Sequence, residues 1–206
     1  MSKIPEEMKN FFNTRADVYD TQQIINIDGG KECYHEIEKY VPAYTKTLLD
    51  LGCGTGLELH SIFKKLPKVQ VTGVDLADKM LKKLAEKYSK YSINLINDSY
   101  LTFDMGTQKY DTVISVMSFH HFTHIQKLKI YGNIFRCLRD NGTFIECDYM
   151  IGSDNAELET YYLSQRKKFE SDYNPAGNLC HCDIPFTVSH EMSLLRESGF
   201  QSVEKV

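Results

Sequence analysis

Apolar and polar positions change their period along this chain, and the changes mark out its elements. From about Thr45 a short apolar run, "KTLLDL", ends in an acid and a glycine. "LELHSIFKKL" follows, with Leu59, Ile62, Phe63 and Leu66 at helical spacing. "VQVTGVDL" alternates and is rich in valine, which predicts a strand. In "ADKMLKKLAEKY" the residues Ala77, Met80, Leu81, Leu84, Ala85 and Tyr88 form one helical stripe with lysines opposite. "SINLIND" and "YDTVISVMS" predict two more strands. "THIQKLKIYGNIFRCL" predicts a helix opened by a Thr123/Gln126 capping box, and "NGTFIECDY" a turn and a fifth strand. Strand alternating with helix implies an α/β fold: a mostly parallel, doubly wound sheet with right-handed crossovers and helices on both faces.

Two segments stand outside the alternation. Residues 1–44 predict two helices around "NIDGG" and form an N-terminal cap on a core spanning 45–150. Residues 151–186 form an insertion, polar and helical in its first half and rich in Pro, Gly and Asn in its second. In an open parallel sheet, ligands sit at the carboxyl ends of the strands. Cap and insertion are therefore expected to cover that crevice, with "NPAGNLCHCDIP" as a mobile lid that orders on ligand binding. Residues 187–206 supply a last helix, "TVSHEMSLLRESGF", stopped by Gly199, and a last strand in "FQSVEKV".

Composition trims the options. The chain has 206 residues, enough for one domain with a sizeable core. Its net charge of -4 gives no basic footprint, so no nucleic acid partner is expected. No apolar run approaches the ~18–20 residues of a membrane span, so no membrane partner is expected either. "MSKIPEEMKNFF" has no apolar signal core. The six scattered cysteines suggest reduced thiols and a cytoplasmic location.

The chemistry concentrates at "LLDLGCGTGLELH", where Gly52, Gly54 and Gly56 follow an apolar strand. No lysine follows Gly56, so this is not a triphosphate loop, and Leu57 stands where a dinucleotide fingerprint has its third glycine. Asp50 precedes the glycines, a poor neighbour for pyrophosphate and a good one for an ammonium group. Asp75 ends the second strand, where a carboxylate can accept both ribose hydroxyls. Asp98 ends the third, inside "NDS". Acids at successive strand ends without a basic clamp suit a cationic, phosphate-free ligand.

With these residues the chain resembles the class I S-adenosylmethionine-dependent methyltransferases, in particular the members acting on small molecules. "LLDLGCGTG", "VTGVDLADKML", "NLINDS", "YDTVISVMSFHHF" and "LRDNGTFIECD" carry the resemblance in the expected order, and "FFNTRADVYD" looks like the segment that folds over the cofactor. The resemblance implies a Rossmann-like sheet and S-adenosyl-L-methionine as cofactor. It places Gly52, Gly54 and Gly56, with Cys53 and Thr55, against the methionine moiety. It gives Asp75 to the ribose, with Leu76 and Met80 close by, and Asp98 and Ser99 to the adenine. Ser115, Val116 and Met117 line the sulfonium end, and Arg15 and Tyr19 close over it. A helix beginning at Thr55 is expected to favour the methionine carboxylate.

His120 and His121 follow the fourth strand, where the family's acceptor site begins, and are the candidate general bases. The alternative is that the pair only shapes the wall. "CHC", Cys180 to Cys182, lacks the spacing of structural zinc ligands, so no metal is expected there; a site that adds His120 or His121 as further ligands is the alternative. "SVMSFHHF" stands where enzymes methylating base or amide nitrogens carry an Asn/Asp-Pro-Pro-Tyr/Phe motif. The expected acceptor is a small molecule, with a nucleic acid or protein acceptor, a non-catalytic S-adenosylmethionine-binding regulator and a nicotinamide-dependent oxidoreductase as alternatives. The family sheet has the strand order 3-2-1-4-5-7-6, and "FQSVEKV" can supply only the sixth strand. That shortfall implies a truncated chain with an open edge on the fifth strand, and association through it as a homodimer.

Overall fold

A computed structural model describes residues 6–27, 29–151, 158, 160–165, 167 and 179–206. Five strands, β1 (Thr47–Leu51), β2 (Gln70–Asp75), β3 (Ile93–Asn97), β4 (Tyr110–Val116) and β5 (Leu138–Cys147), form one sheet in the order β3-β2-β1-β4-β5. Every pairing is parallel. The order reverses between β1 and β4, and this switch point opens the crevice in which such sheets bind ligands.

The central strand explains the layering. Leu48 faces one way with Val71 and Ile114, against α4 (Leu59–Lys65) and α5 (Asp78–Lys87). Leu49 and Leu51 face the other way with Val74 and Val113, against α6 (His124–Cys137) and Leu194 of α7 (Val188–Glu197). All three leucines are fully buried, at ~1.5–3 kcal/mol each relative to exposure. The α6 capping box forms: the Gln126 amide donates to Thr123 Oγ1, and the Thr123 amide to Gln126 Oε1 at 2.9 Å.

Three expectations about elements are corrected. Among the described residues the cap holds three α-helices rather than two helices in all: α1 (Met8–Arg15), α2 (Tyr19–Asn26) and α3 (Gly30–Glu36), the last followed by a 3-10 turn at Ile37–Lys39. The chain turns between α1 and α2, where the Val18 amide donates to the Arg15 carbonyl and buried Ala16 packs on Ala77 and Met80. The helix after the glycines begins at Leu59, not at Thr55, which lies in the preceding turn and gives its hydroxyl proton to Asp20. Finally, residues 201–206 form no strand. Phe200 anchors on Phe135 and Phe144, but beyond it only Val203 is even partly buried, too little apolar surface to hold a strand to the sheet. Among the described residues β5 is an outer strand.

The thiol expectation is also corrected. Cys33 of α3 and Cys147 at the end of β5 are joined by a disulfide across 114 positions, tying the cap to the sheet. No local spacing announces such a pair, because only the docking of the cap brings the two together. No helix among the described residues is long and apolar enough to cross a membrane. The first part of the proposed lid, 174–178, lies outside the described residues; its last part, 179–185, is described below.

Candidate functional site

The corner after β1 is held by its neighbour β2. The Gly52 amide donates to the Val74 carbonyl at 2.9 Å, and the Gly54 amide to Asp75 Oδ2 at 2.9 Å. Gly52 has φ +78°, and a Cβ there would stand 2.2 Å from Ser118 Oγ, so only glycine lets β1 and β4 close up. At Gly54 the nearest atom to such a Cβ is Tyr19 Cε1 at 3.9 Å, and the backbone lies open to a cavity of about 500 Å³, mouth included.

That cavity brings together Tyr19, Gly52, Gly54, Asp75, Leu76 and Met80, as the resemblance implied. Ser99, Met117 and His121 complete its far wall. A smaller cavity beside it is lined by Cys53, Thr55, Gly56, Glu58 and Val116, with Tyr34 and Tyr19.

Asp98, Ser115 and Arg15 line neither cavity. Asp98 is exposed and caps the following turn, accepting from the Ser99 amide at 2.6 Å and the Thr102 hydroxyl at 3.1 Å. The Ser115 hydroxyl is buried and donates to the Leu51 carbonyl. Arg15 donates to the Phe11 carbonyl and to Glu6 while lying over the Phe11 ring, so it braces α1.

Behind the glycines lies a pair of acids. Asp50 and Glu58 are 1% and 4% exposed. Both Asp50 oxygens and Glu58 Oε1 lack a hydrogen bond of normal geometry. Burial, reinforced by the Glu58 charge, pushes the Asp50 carboxyl well above the usual carboxylate range. Burial also raises Glu58 to about 6, against opposing hydrogen bonds. Asp75 is likewise raised to about 6 by burial, against the pull of the Ala77 and Gly54 amides. Buried carboxyls crowded together are costly, and a ligand cation would relieve the cost. Glu58 was missed in the sequence, although it stands two residues past Gly56 in the same turn.

Behind His121, which lines the other end of the cavity, three separate segments meet. Asp148, just past β5, accepts from the Phe119 and His120 amides through Oδ2 and meets His120 Nδ1 through Oδ1 at 2.5 Å. Burial opposes its ionisation, but the His120 charge and hydrogen bond outweigh it and hold the carboxyl below its ordinary value. His120 Nε2 faces Asp183 Oδ1 at 3.6 Å, and His121 Nδ1 stands 3.2 Å from the same oxygen. Desolvation and the His120 charge push His121 down, against Asp183. Asp183 falls to about 2: burial would raise it, but the His121 hydrogen bond and the surrounding imidazoles prevail.

The segment carrying Asp183 is strapped to the cap. The Ile184 amide donates to the His120 carbonyl at 2.7 Å, the Met8 amide to the Leu179 carbonyl, and the His181 amide to the Glu6 carbonyl. The His181 ring stacks on Phe11, 3.6 Å between centroids, and burial lowers it to about 4. Phe12 and Met8 of α1 reach the cavity itself. Sequence reasoning missed Asp148 and Asp183. An acid at the end of a strand could have flagged Asp148 in "ECDY", but nothing local distinguishes Asp183.

Residues 48–142 match the family model described as a methyltransferase domain, the stretch that builds the sheet and the glycine corner. The chain carries a class I methyltransferase domain. S-adenosylmethionine is the cofactor of that class. Across 169 residues the chain is 23% identical to the carboxy-S-adenosyl-L-methionine synthase of Nautilia profundicola, covering 77% of this chain and 71% of that one. It is 26% identical over 147 residues to the malonyl-[acyl-carrier protein] O-methyltransferase of Priestia megaterium, covering 68% of this methyltransferase chain but 53% of the relative. The crystal structure of human N-acetylserotonin methyltransferase in complex with SAM superposes with a TM-score of 0.64 at 13% identity, covering 93% of this chain and 51% of that one, which speaks for the fold alone. This methyltransferase chain thus spans just over half the length of two of the three.

Proposed function

We propose that this chain transfers the methyl group of S-adenosylmethionine to a small acceptor seated between the glycine corner and the His120/His121/Asp183 corner. The observation that carries the reading is the pair Asp50/Glu58, two buried carboxyls set against each other directly behind a glycine-lined cavity. That is the surrounding a cationic amino acid moiety requires. Bound there, S-adenosylmethionine supplies an activated methyl group on a good leaving group. The chain then has to place donor and acceptor in line and keep water out, a contribution of ~7–11 kcal/mol.

Each residue has a part in this. Asp50 and Glu58 take the ammonium group. Asp75, which faces the cavity, accepts the ribose hydroxyls, and Leu76 and Met80 give apolar walls. Asp148 holds His120 by Nδ1, which turns Nε2 toward Asp183 and the acceptor corner. An acceptor hydroxyl meets its proton acceptor at that corner. Strapping α1 to residues 179–184 narrows the mouth, which favours a small acceptor over a macromolecule. Residues 1–44, 45–150, 151–186 and 187–206 then serve one domain as cap, cofactor core, acceptor-side insertion and closing helix. The relatives' names cover different reactions, so the acceptor is left to its chemistry. Among the described residues lining the cavity none is Arg or Lys, which disfavours a strongly anionic acceptor.

Calorimetry with S-adenosylhomocysteine, followed by a metabolite extract incubated with labelled methyl donor, tests the reading. Binding and label in the low-mass fraction are expected. Label confined to nucleic acid or protein overturns the small acceptor, and an absence of binding sinks the whole reading.

A further inference from the structure

The His120/His121/Asp183 corner has an arrangement that a hydrogen-bonded wall does not need. Its three ligand atoms, one from each residue, lie within 4.8 Å of one another. Asp183 Oδ1 is 3.2 Å from His121 Nδ1 and 3.6 Å from His120 Nε2. In a tetrahedral site with metal–ligand bonds of ~2.0–2.2 Å, ligand atoms stand about 3.3–3.6 Å apart. The two separations to Asp183 fit that geometry, and the two histidine nitrogens, within 4.8 Å of each other, need at most a small ring rotation to close on an ion.

Two further observations point to an ion. His121 is 3% exposed, and its Nδ1 meets the Asp183 oxygen at 3.2 Å in a hydrogen bond of poor geometry, which leaves this buried ring nitrogen under-satisfied. In addition, His120 has the outer partner that metal-bound histidines regularly have: its Nδ1 is held by the buried Asp148 carboxylate, leaving Nε2 as the lone-pair side. Asp148 is in turn fixed by the amides of Phe119, His120 and Tyr149, so the orientation is rigid.

We infer that His120 Nε2, His121 Nδ1 and Asp183 Oδ1 bind a divalent transition-metal ion whose open position faces the acceptor cavity. Two imidazoles and one carboxylate form a donor set typical of zinc and iron(II) sites that keep a position for substrate. His121 and Met117 line the cavity, so that position opens onto the space left for the acceptor. The cysteines of "CHC" are not among the three ligands.

The ion's role rests on the methyl-transfer reading. The acceptor's hydroxyl oxygen ligates the ion and its proton is released to solvent. A lone pair of that oxygen then forms the O–CH3 bond. The S–CH3 bond breaks, and its electron pair stays on sulfur. The acceptor class is thus a small molecule with a hydroxyl or enol, activated by coordination rather than by a histidine acting as base.

The test uses the full chain, stripped with a chelator and titrated with zinc by calorimetry, then with cobalt(II) by visible absorption. One ion per chain is expected, with cobalt bands of low-symmetry four- or five-coordination. Asp183→Asn and His121→Ala should each weaken zinc binding at least tenfold, and Asp148→Asn about tenfold through His120. Asp183→Asn should bind S-adenosylhomocysteine as the natural chain does, which shows that the variant is folded. No stoichiometric binding, or equal affinity in Asp183→Asn, overturns the inference. If the stripped chain binds no zinc but still methylates, the ion fails and the methyl-transfer reading stands. If zinc binds as expected but S-adenosylhomocysteine does not, the reverse holds.

Discussion

The two ends of the cavity are built in opposite ways. The donor end is local: β1, its glycine turn, Glu58 and the acid closing β2 lie within about one strand–helix–strand unit, and their geometry follows from backbone hydrogen bonds such as Gly52 to Val74. The acceptor end is assembled from residues 119–121, 148 and 183, which meet only because β4 and β5 pair and the loop from 179 is strapped onto α1. The donor end leaves its acids under-satisfied and raised, prepared for a cation. The acceptor end satisfies Asp148 fully and lowers it, fixing an imidazole in place. A fold can thus keep one half of its site tied to the sheet and place the other on segments that change independently.

The comparison makes four claims that can be broken. The largest effect is expected at the acceptor end: His120→Ala should cut turnover ~10²–10⁴-fold and leave S-adenosylhomocysteine affinity within about twofold. A parallel loss of affinity in calorimetry would show that the ends are not separable. Next, Asp75→Ala should weaken S-adenosylhomocysteine by a few kcal/mol, at ~1.5–3 per charged hydrogen bond; unchanged affinity removes Asp75 from the donor end.

Asp50→Asn should lower that affinity about tenfold, the loss of one charged contact. The same substitution should raise the melting temperature of the ligand-free chain, since it removes a buried acid set against the Glu58 carboxyl. A fall in both would mean that Asp50 is structural. The smallest effect is one of pH. Asp75 and Glu58, raised to about 6, favour the fold while protonated. Their contribution is fully present below their ordinary values near 4 and is lost as the pH rises through about 6. Binding the donor's hydroxyls and ammonium needs the carboxylates, so affinity should climb over that same window and then level off. A flat profile between pH 5 and 7 would contradict the raised values.

Much of the donor end was legible. Strand period, the three glycines and the strand-end acids are short-range signals, and Gly52, Gly54, Asp75, Leu76 and Met80 all reach the cavity. Asp98 and Arg15 do not line the cavity: each has a nearer partner, a turn amide for one and a helix carbonyl for the other. At the acceptor end only the histidine pair was legible. Asp183 carries no pattern, and the Cys33–Cys147 disulfide spans too much chain for spacing to suggest it.

The sequence by itself determined the periodicities, the turns and hence the order of strands, because burial of alternate residues and glycine's freedom at positive φ act over a few positions. It also determined which chemical groups the strand ends carry. Only the tertiary structure decided which of those groups share a space: that Glu58 lies against Asp50, that Asp148 reaches His120, and that Asp183 comes to 3.2 Å from His121. Those meetings depend on side-chain packing between segments far apart in the chain, and no local pattern records them.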